Sequence, residues 1–338
     1  MKVLVTGATS GLGRNAVDGL QRSGTPLRAT GRDLVQGRAL QKQGVVFEPA
    51  DLACITPQQA QHLLRGVDAV WHCAALSAPW GRVQDFEAAN VRATMVLAQA
   101  AAARGLSRFI HVSTPSIYFD YRHHEQIPES YRAARFANAY ASSKARAEDV
   151  ILRLAARHPH TRFTILRPRA LFGPHDRVIL PRLLALLRRC GGVLPLPGGG
   201  RARMDFSYVG NVVQAMHLAT TVPGLASGKA FNITNQQPFS LAELLQGLLG
   251  EHWGIDYRIR PLPYPLLAGT ACVLEGWSRL RGREPAFTRY SMGALHYGMT
   301  LDNRKAQEQL GYFPEIDMRQ AVRYTADWHR EHGAHHGL

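Results

Sequence analysis

The 338 residues are 46% hydrophobic and 19% charged, a balance that supports a sizeable core and excludes a disordered chain. The net charge of +15 comes mostly from arginines scattered without basic runs or aromatic-basic alternation. It reads first as a solvated surface, second as a preference for an anionic substrate or partner, and no nucleic-acid partner is expected.

The opening apolar run Val3–Val5 is too short for a signal peptide, and no apolar stretch approaches the ~20 residues that span a bilayer, so a cytoplasmic protein is expected. Cys54, Cys73, Cys190 and Cys272 form no C-x-x-C pair, so neither zinc nor a disulfide framework is suggested. His329, His332, His335 and His336 read as a polar tail rather than a metal site, and no metal is expected.

In chain order, Val3–Thr6 is a short apolar run closed by Gly7, as expected of a buried parallel strand. A helix follows from Gly13 to about Arg22. Strands are predicted at Leu27–Thr30, Val45–Glu48, Ala69–His72, Phe109–Ser113 and Phe163–Leu166. Helices are predicted at Pro57–Arg65, Val83–Arg104 and Asn138–Arg157. This alternation implies right-handed crossovers and an α/β fold with a doubly wound parallel sheet, a Rossmann domain over residues 1–168.

After Pro168 proline and glycine become frequent, as in Leu194–Gly200. A helix at Asn211–Thr220 and a strand at Ala230–Ile233 return residues 206–234 to the sheet. Residues 169–205 and 235–320 then form a smaller C-terminal substrate-binding lobe, and 321–338 a closing helix and tail. The apolar run from Pro263 to Leu274 reads first as a core helix. The alternative is an apolar substrate-entry rim or a peripheral membrane contact carrying Trp277 and Arg279. Either favours an apolar substrate over a sugar nucleotide.

The chemistry is carried by a few motifs. Gly7, Ser10, Gly11, Leu12 and Gly13 lie between the first strand and first helix, where glycines let backbone approach a pyrophosphate and a helix start offers free N–H groups. The second strand ends at Thr30-Gly31, with Arg32 next. A guanidinium there suits the 2′-phosphate of NADP; Asp33 serving the ribose is the alternative. NADP is therefore favoured over NAD. Asp51 and Leu52 follow the third strand, at the adenine or as a helix cap. Ala74 and Ala75 end the fourth strand, small enough for close passage of the cofactor. Tyr140 and Lys144 share a helix face, and a lysine ammonium one turn away is expected to lower the phenol's pKa and ready it for proton exchange during hydride transfer. Thr114, with Ser113 beside it, supplies a hydroxyl for a carbonyl oxygen.

These motifs resemble the extended, two-lobed branch of the short-chain dehydrogenase/reductase superfamily. The likeness runs through Asn90–Thr94, Tyr118, Leu166-Arg167-Pro168, Phe172-Gly173-Pro174, Tyr208–Asn211 and Lys305–Tyr312. Within that branch, Trp80-Gly81, Ser113–Ser116 and Pro285–Tyr290 resemble the 3β-hydroxysteroid dehydrogenases and 2-alkyl-3-oxoalkanoate reductases. The resemblance implies Thr114, Tyr140 and Lys144 as the catalytic set and Pro168 beside the cofactor. It also implies a homodimer, and an oxidoreductase acting on a steroid-like or long-chain β-hydroxy/β-keto acid. Asn90 would support Lys144 through a water or start a helix. Ser10-Gly11 departs from the branch's usual glycine spacing. Nucleotide-sugar epimerases are the rivals, but their polar slots hold Ala170 and Met204 here, with Arg201 or Arg203 as possible substitutes. A non-catalytic dinucleotide sensor is the third reading, against which the intact Thr114/Tyr140/Lys144 set argues.

Overall fold

The computed structural model describes residues 1–176, 179–282 and 284–332; His335 and His336 of the tail lie outside them. Seven strands make the main sheet: β1 Val3–Thr6, β2 Leu27–Gly31, β3 Val46–Pro49, β4 Ala69–His72, β5 Arg108–Val112, β6 Arg162–Pro168 and β7 Lys229–Ile233. Their spatial order is β7-β6-β5-β4-β1-β2-β3, and every neighbouring pair is parallel. The central strands β1 and β4 are buried along their whole length because both faces are covered. Val3 and Val5 enter one core with Trp71, Ile110 and Phe231, whereas Leu4 enters the other with Val70, Phe109 and Phe163. The order reverses between β1 and β4, which opens a crevice at the carboxyl ends of those strands.

The connecting helices are α1 Gly11–Arg22, α2 Leu34–Lys42, α3 Pro57–Leu63, the interrupted α4 (Val83–Phe86, a π-helical stretch Glu87–Arg92, then Ala93–Ala103) and α5 Ala139–Arg157. They are followed by α6 Ile179–Arg189, α7 Val209–Thr221, α8 Tyr264–Arg281, α9 Arg289–His296 and α10 Met318–Glu331. The helix α2 was not expected. Its Gly37 is required because a Cβ there would lie 2.2 Å from the Phe47 ring. A buried pair, Glu148 of α5 with Arg167 of β6 at 2.6 and 2.9 Å, holds α5 against the sheet.

Residues after Pro168 add a ladder of Val193–Pro197 with Arg258–Leu262 and, together with the earlier strand His124–Ile127, a small sheet of Phe239–Ser240, Arg203–Met204 and Met299–Leu301. The first core continues without a break from the main sheet through Leu196 and Met204 to Leu244, Leu248 and Val322. The core-helix expectation for Pro263–Leu274 does not hold. In α8 only Leu267, Ala271 and Glu275 are buried, while Leu266, Val273, Trp277 and Leu280 face outward, the last at 85% exposure. No helix among the described residues is long and apolar enough to cross a membrane.

Candidate active site

The glycine-rich turn is shaped by close backbone approach. Gly7 has φ +67°, and a Cβ on it would lie 2.9 Å from the Ala74 backbone. A Cβ on Gly13 would lie 2.2 Å from the Gly7 carbonyl oxygen. Nothing lies within 4 Å of a Cβ built on Gly11. Ser10 caps α1 with extended backbone but makes no side-chain cap bond, so the first turn keeps N–H groups for an anion. Leu12 is buried in the core, and the Gly11 N–H donates to the His175 carbonyl at 3.2 Å. The turn therefore leaves open space over Gly11 beside the start of α1.

At the end of β2, Arg32 is exposed, while Asp33 caps α2 by accepting the Gln36 N–H at 3.0 Å. Asp51 likewise caps a short 3-10 turn through the Ala53 N–H at 3.0 Å, and Leu52 turns into the core. At the end of β4, the Ala74 N–H donates to Thr6 Oγ1 at 3.1 Å, which fixes Ala74 against the glycine turn; Ala75 is exposed. Pro168 ends β6 and is buried.

Asn90 sits in the π-helical stretch of α4 and is fully buried. It accepts the Leu76 N–H at 2.7 Å and donates to Leu76 O at 3.1 Å and Ser143 Oγ at 2.9 Å. It therefore braces the loop after β4 against α5, and it makes no direct hydrogen bond with Lys144. A π-bulge at such a place is a frequent companion of function.

Tyr140 stands on the first turn of α5, which Asn138 caps through the Ala141 N–H at 2.8 Å. Its phenol lies beside the hydroxyls of Ser77 and Thr114. Burial nonetheless raises its pKa above the ordinary tyrosine value, with those two hydroxyls opposing. Lys144, one turn on, is 1% exposed; its Nζ donates to Val112 O at 2.7 Å and to His111 Nε2 at 3.1 Å. Burial lowers the ammonium to about 8, against the pull of Glu148. The expected lowering of the phenol by Lys144 is therefore not found, because the ammonium is held under β5 and desolvation governs Tyr140. Ser113 Oγ is buried without a partner, so Thr114 alone of the two hydroxyls reaches Tyr140.

Sequence reasoning gave no role to four side chains that extend this cluster. Ser77 lies beside the phenol. Thr114 Oγ1 donates to Ser116 Oγ at 3.0 Å, and Ser116 Oγ meets the Tyr290 hydroxyl at 2.7 Å. Arg169 lies in the electrostatic neighbourhood of Tyr290. Ser116 and Tyr290 lie inside the motifs that carried the resemblance, but nothing in their spacing shows that residues 174 apart meet.

Residues 3–234 match the model of the NAD dependent epimerase/dehydratase family. The chain belongs to that family. Within it, the chain is an NAD(P)-dependent enzyme of the extended short-chain dehydrogenase/reductase type, in the group that holds 2-alkyl-3-oxoalkanoate reductases and 3β-hydroxysteroid dehydrogenases. It is 48% identical to an Escherichia coli (strain K12) protein called Uncharacterized protein YbjS, over 98% of this chain and 99% of that one. It is 32% identical to the 2-alkyl-3-oxoalkanoate reductase of Stenotrophomonas maltophilia (strain K279a), over 96% of this chain and 98% of that protein. In fold it is similar to the UDP-glucuronic acid 4-epimerase of Bacillus cereus in complex with NAD, with a TM-score of 0.76 at 20% identity, covering 98% and 99% of the two chains.

In this member of the epimerase/dehydratase family the two slots weighed against a sugar nucleotide are apolar in place as well as in type. Met204 is 3% exposed and pairs with Met299 in the small sheet. Ala170 has φ +45° at the foot of the lobe. Arg203 points outward to Glu243 at 3.7 Å, and Arg201 is exposed.

Proposed function

We propose that this enzyme interconverts a ketone and a secondary alcohol on an apolar substrate, either steroid-like or a long-chain β-hydroxy/β-keto acid, and prefers NADP. The observation that carries this reading is the gathering of the Tyr140 phenol, on the first turn of α5, with the hydroxyls of Thr114 and Ser77, one helical turn from the buried Lys144. Gly7, Ser10, Gly11, Leu12 and Gly13 would hold the pyrophosphate, Arg32 a 2′-phosphate, and Asp51 and Leu52 the adenine side. Ala74, Ala75 and Pro168 would flank the nicotinamide half, with Lys144 on its ribose. The bound cofactor supplies or accepts the hydride. In reduction Thr114 and Tyr140 hold the ketone oxygen, and Tyr140 gives it a proton as the carbon gains hydride; oxidation reverses both transfers.

The likeness to a 2-alkyl-3-oxoalkanoate reductase along nearly the whole chain supports this over epimerisation, for which the fold alone speaks. The outward face of α8 supports an apolar substrate. Its Arg279 lies over the Trp80 ring at 5.7 Å, and its Glu275 accepts from Arg289 Nε at 3.0 Å, so the helix flanks both the loop bearing Ser77 and the helix bearing Tyr290. Exposed Trp277 and Leu280 beside Arg279 and Arg281 suit a peripheral contact with anionic lipid, where such a substrate would enter.

The test is turnover with NADPH of long-chain 3-oxo esters and steroid ketones beside UDP-sugars. Net NADPH oxidation by the lipid ketones is expected. Conversion of a UDP-sugar without net cofactor consumption would overturn the reading.

A further inference from the structure

Arg169 follows Pro168 at the end of β6 and is half-buried, with its backbone N–H donating to Ser207 Oγ at 3.0 Å. Its side chain makes no hydrogen bond or ion pair among the described residues, and its Nε is shut away from solvent without an acceptor. Two ionisable groups face it. Asp205, 2% exposed, lies beyond ion-pair contact and uses its carboxylate to accept the Leu301 N–H at 2.7 Å. Tyr290 leads back through Ser116 and Thr114 to the Tyr140 phenol in one run of hydroxyls. A guanidinium whose Nε is taken out of water without an acceptor is unfavourably placed unless a ligand supplies one, and its still accessible planar fork suits two carboxylate oxygens.

We propose that Arg169 is the specificity-determining residue that binds the carboxylate of an acid substrate while Tyr140 and Thr114 hold its ketone oxygen. This rests on the ketone-reductase reading and narrows it, since a long-chain 3-oxo acid carries both groups a few bonds apart and a neutral steroid ketone does not. The Ser116–Tyr290 hydroxyls line the stretch between the two anchors. The acid's alkyl chain is left to the apolar side of the crevice.

The experiment compares 3-oxotetradecanoate with its methyl ester on the full-length enzyme and NADPH, in wild type, Arg169→Met and Arg169→Lys. The wild type is expected to favour the acid in kcat/KM by roughly 10- to 100-fold, mostly through KM, as one charged bidentate contact provides. Arg169→Met should erase that ratio. Arg169→Lys, which keeps a cation beside Asp205 and so serves as the folding control, should retain part of it. A second readout needs no turnover: with NADPH present, tetradecanoate should raise the Tm of wild type but not of Arg169→Met, and tetradecanol should treat both alike. If that binding difference appears while no ketone is reduced, the carboxylate site stands and the reductase reading falls. If ester and acid are reduced equally by wild type, or if Arg169→Met loses NADPH affinity with its acid preference intact, Arg169 does not bind a substrate carboxylate and the inference is overturned.

Discussion

Lys144 carries the most deeply buried cation of the site, and its titration can be followed through stability. Burial lowers its ammonium from 10.5 to about 8. In the unfolded chain it titrates near the ordinary lysine value, so between pH about 8 and about 10 the unfolded state binds a proton that the folded state has released. Stability must then rise with pH across that window, with the unfavourable burial fully expressed below it. At about 1.36 kcal/mol per pH unit, the shift corresponds to roughly 3 kcal/mol as an upper limit. Lys144→Met removes the titration. The assay is urea unfolding of both proteins at about pH 7 and about pH 9.5, reading the stability difference at each. Cys73, whose thiol burial pushes up to about 12, takes stability away as pH rises, but it is present in both proteins and largely drops out of the difference. His72 and His111 are neutral throughout, since burial lowers both. Wild type should gain on Lys144→Met as pH rises. An unchanged difference, or a loss, would refute the burial of a charged Lys144.

Gly13→Ala places a methyl 2.2 Å from the Gly7 carbonyl, so the turn must shift and dinucleotide affinity, read by cofactor fluorescence, should fall at least about tenfold; wild-type affinity would remove the turn from the binding site. Arg32→Ser should weaken NADPH by roughly tenfold while leaving NADH nearly unaffected, since only the former has a 2′-phosphate; an equal loss for both would place Arg32 elsewhere. The double change Trp277→Ser, Leu280→Ser should reduce sedimentation with phosphatidylserine vesicles without altering the unfolding midpoint, because both side chains are more than half exposed; unchanged sedimentation would deny α8 a membrane role.

The main sheet was legible because its central strands are buried on both faces and so appear as short, mainly apolar runs, β1 closed by Gly7 and β6 by Pro168. Observed strands fall within a few residues of those expected. The helix α2 escaped notice because Gly37 interrupts a short segment that exposes Leu34 and Val35, and its cap, Asp33, looked like a ribose ligand. The α4 segment reads as one helix because a π-helical stretch leaves no periodic mark, yet that stretch is what turns Asn90 toward Leu76 and Ser143. In α8 the buried residues Leu267, Ala271 and Glu275 form one i, i+4 stripe, and apolar content alone concealed that the remaining hydrophobics lie outside it. The Tyr140/Lys144 spacing fixed which residues share a helix face. It did not reveal that Lys144 would be occupied by Val112 and His111, or that Ser77 would lie beside the phenol, since the first depends on how α5 packs against β5 and the second on the path of the loop after β4.

The central claim is that the residue 140 hydroxyl moves the proton. Tyr140→Phe keeps the ring beside Phe86 and removes that one oxygen. With NADPH binding verified on the same sample, ketone reduction should fall by about 10²- to 10⁴-fold, the usual contribution of a positioned acid. A variant that binds NADPH and reduces the ketone at close to the wild-type rate would contradict the account.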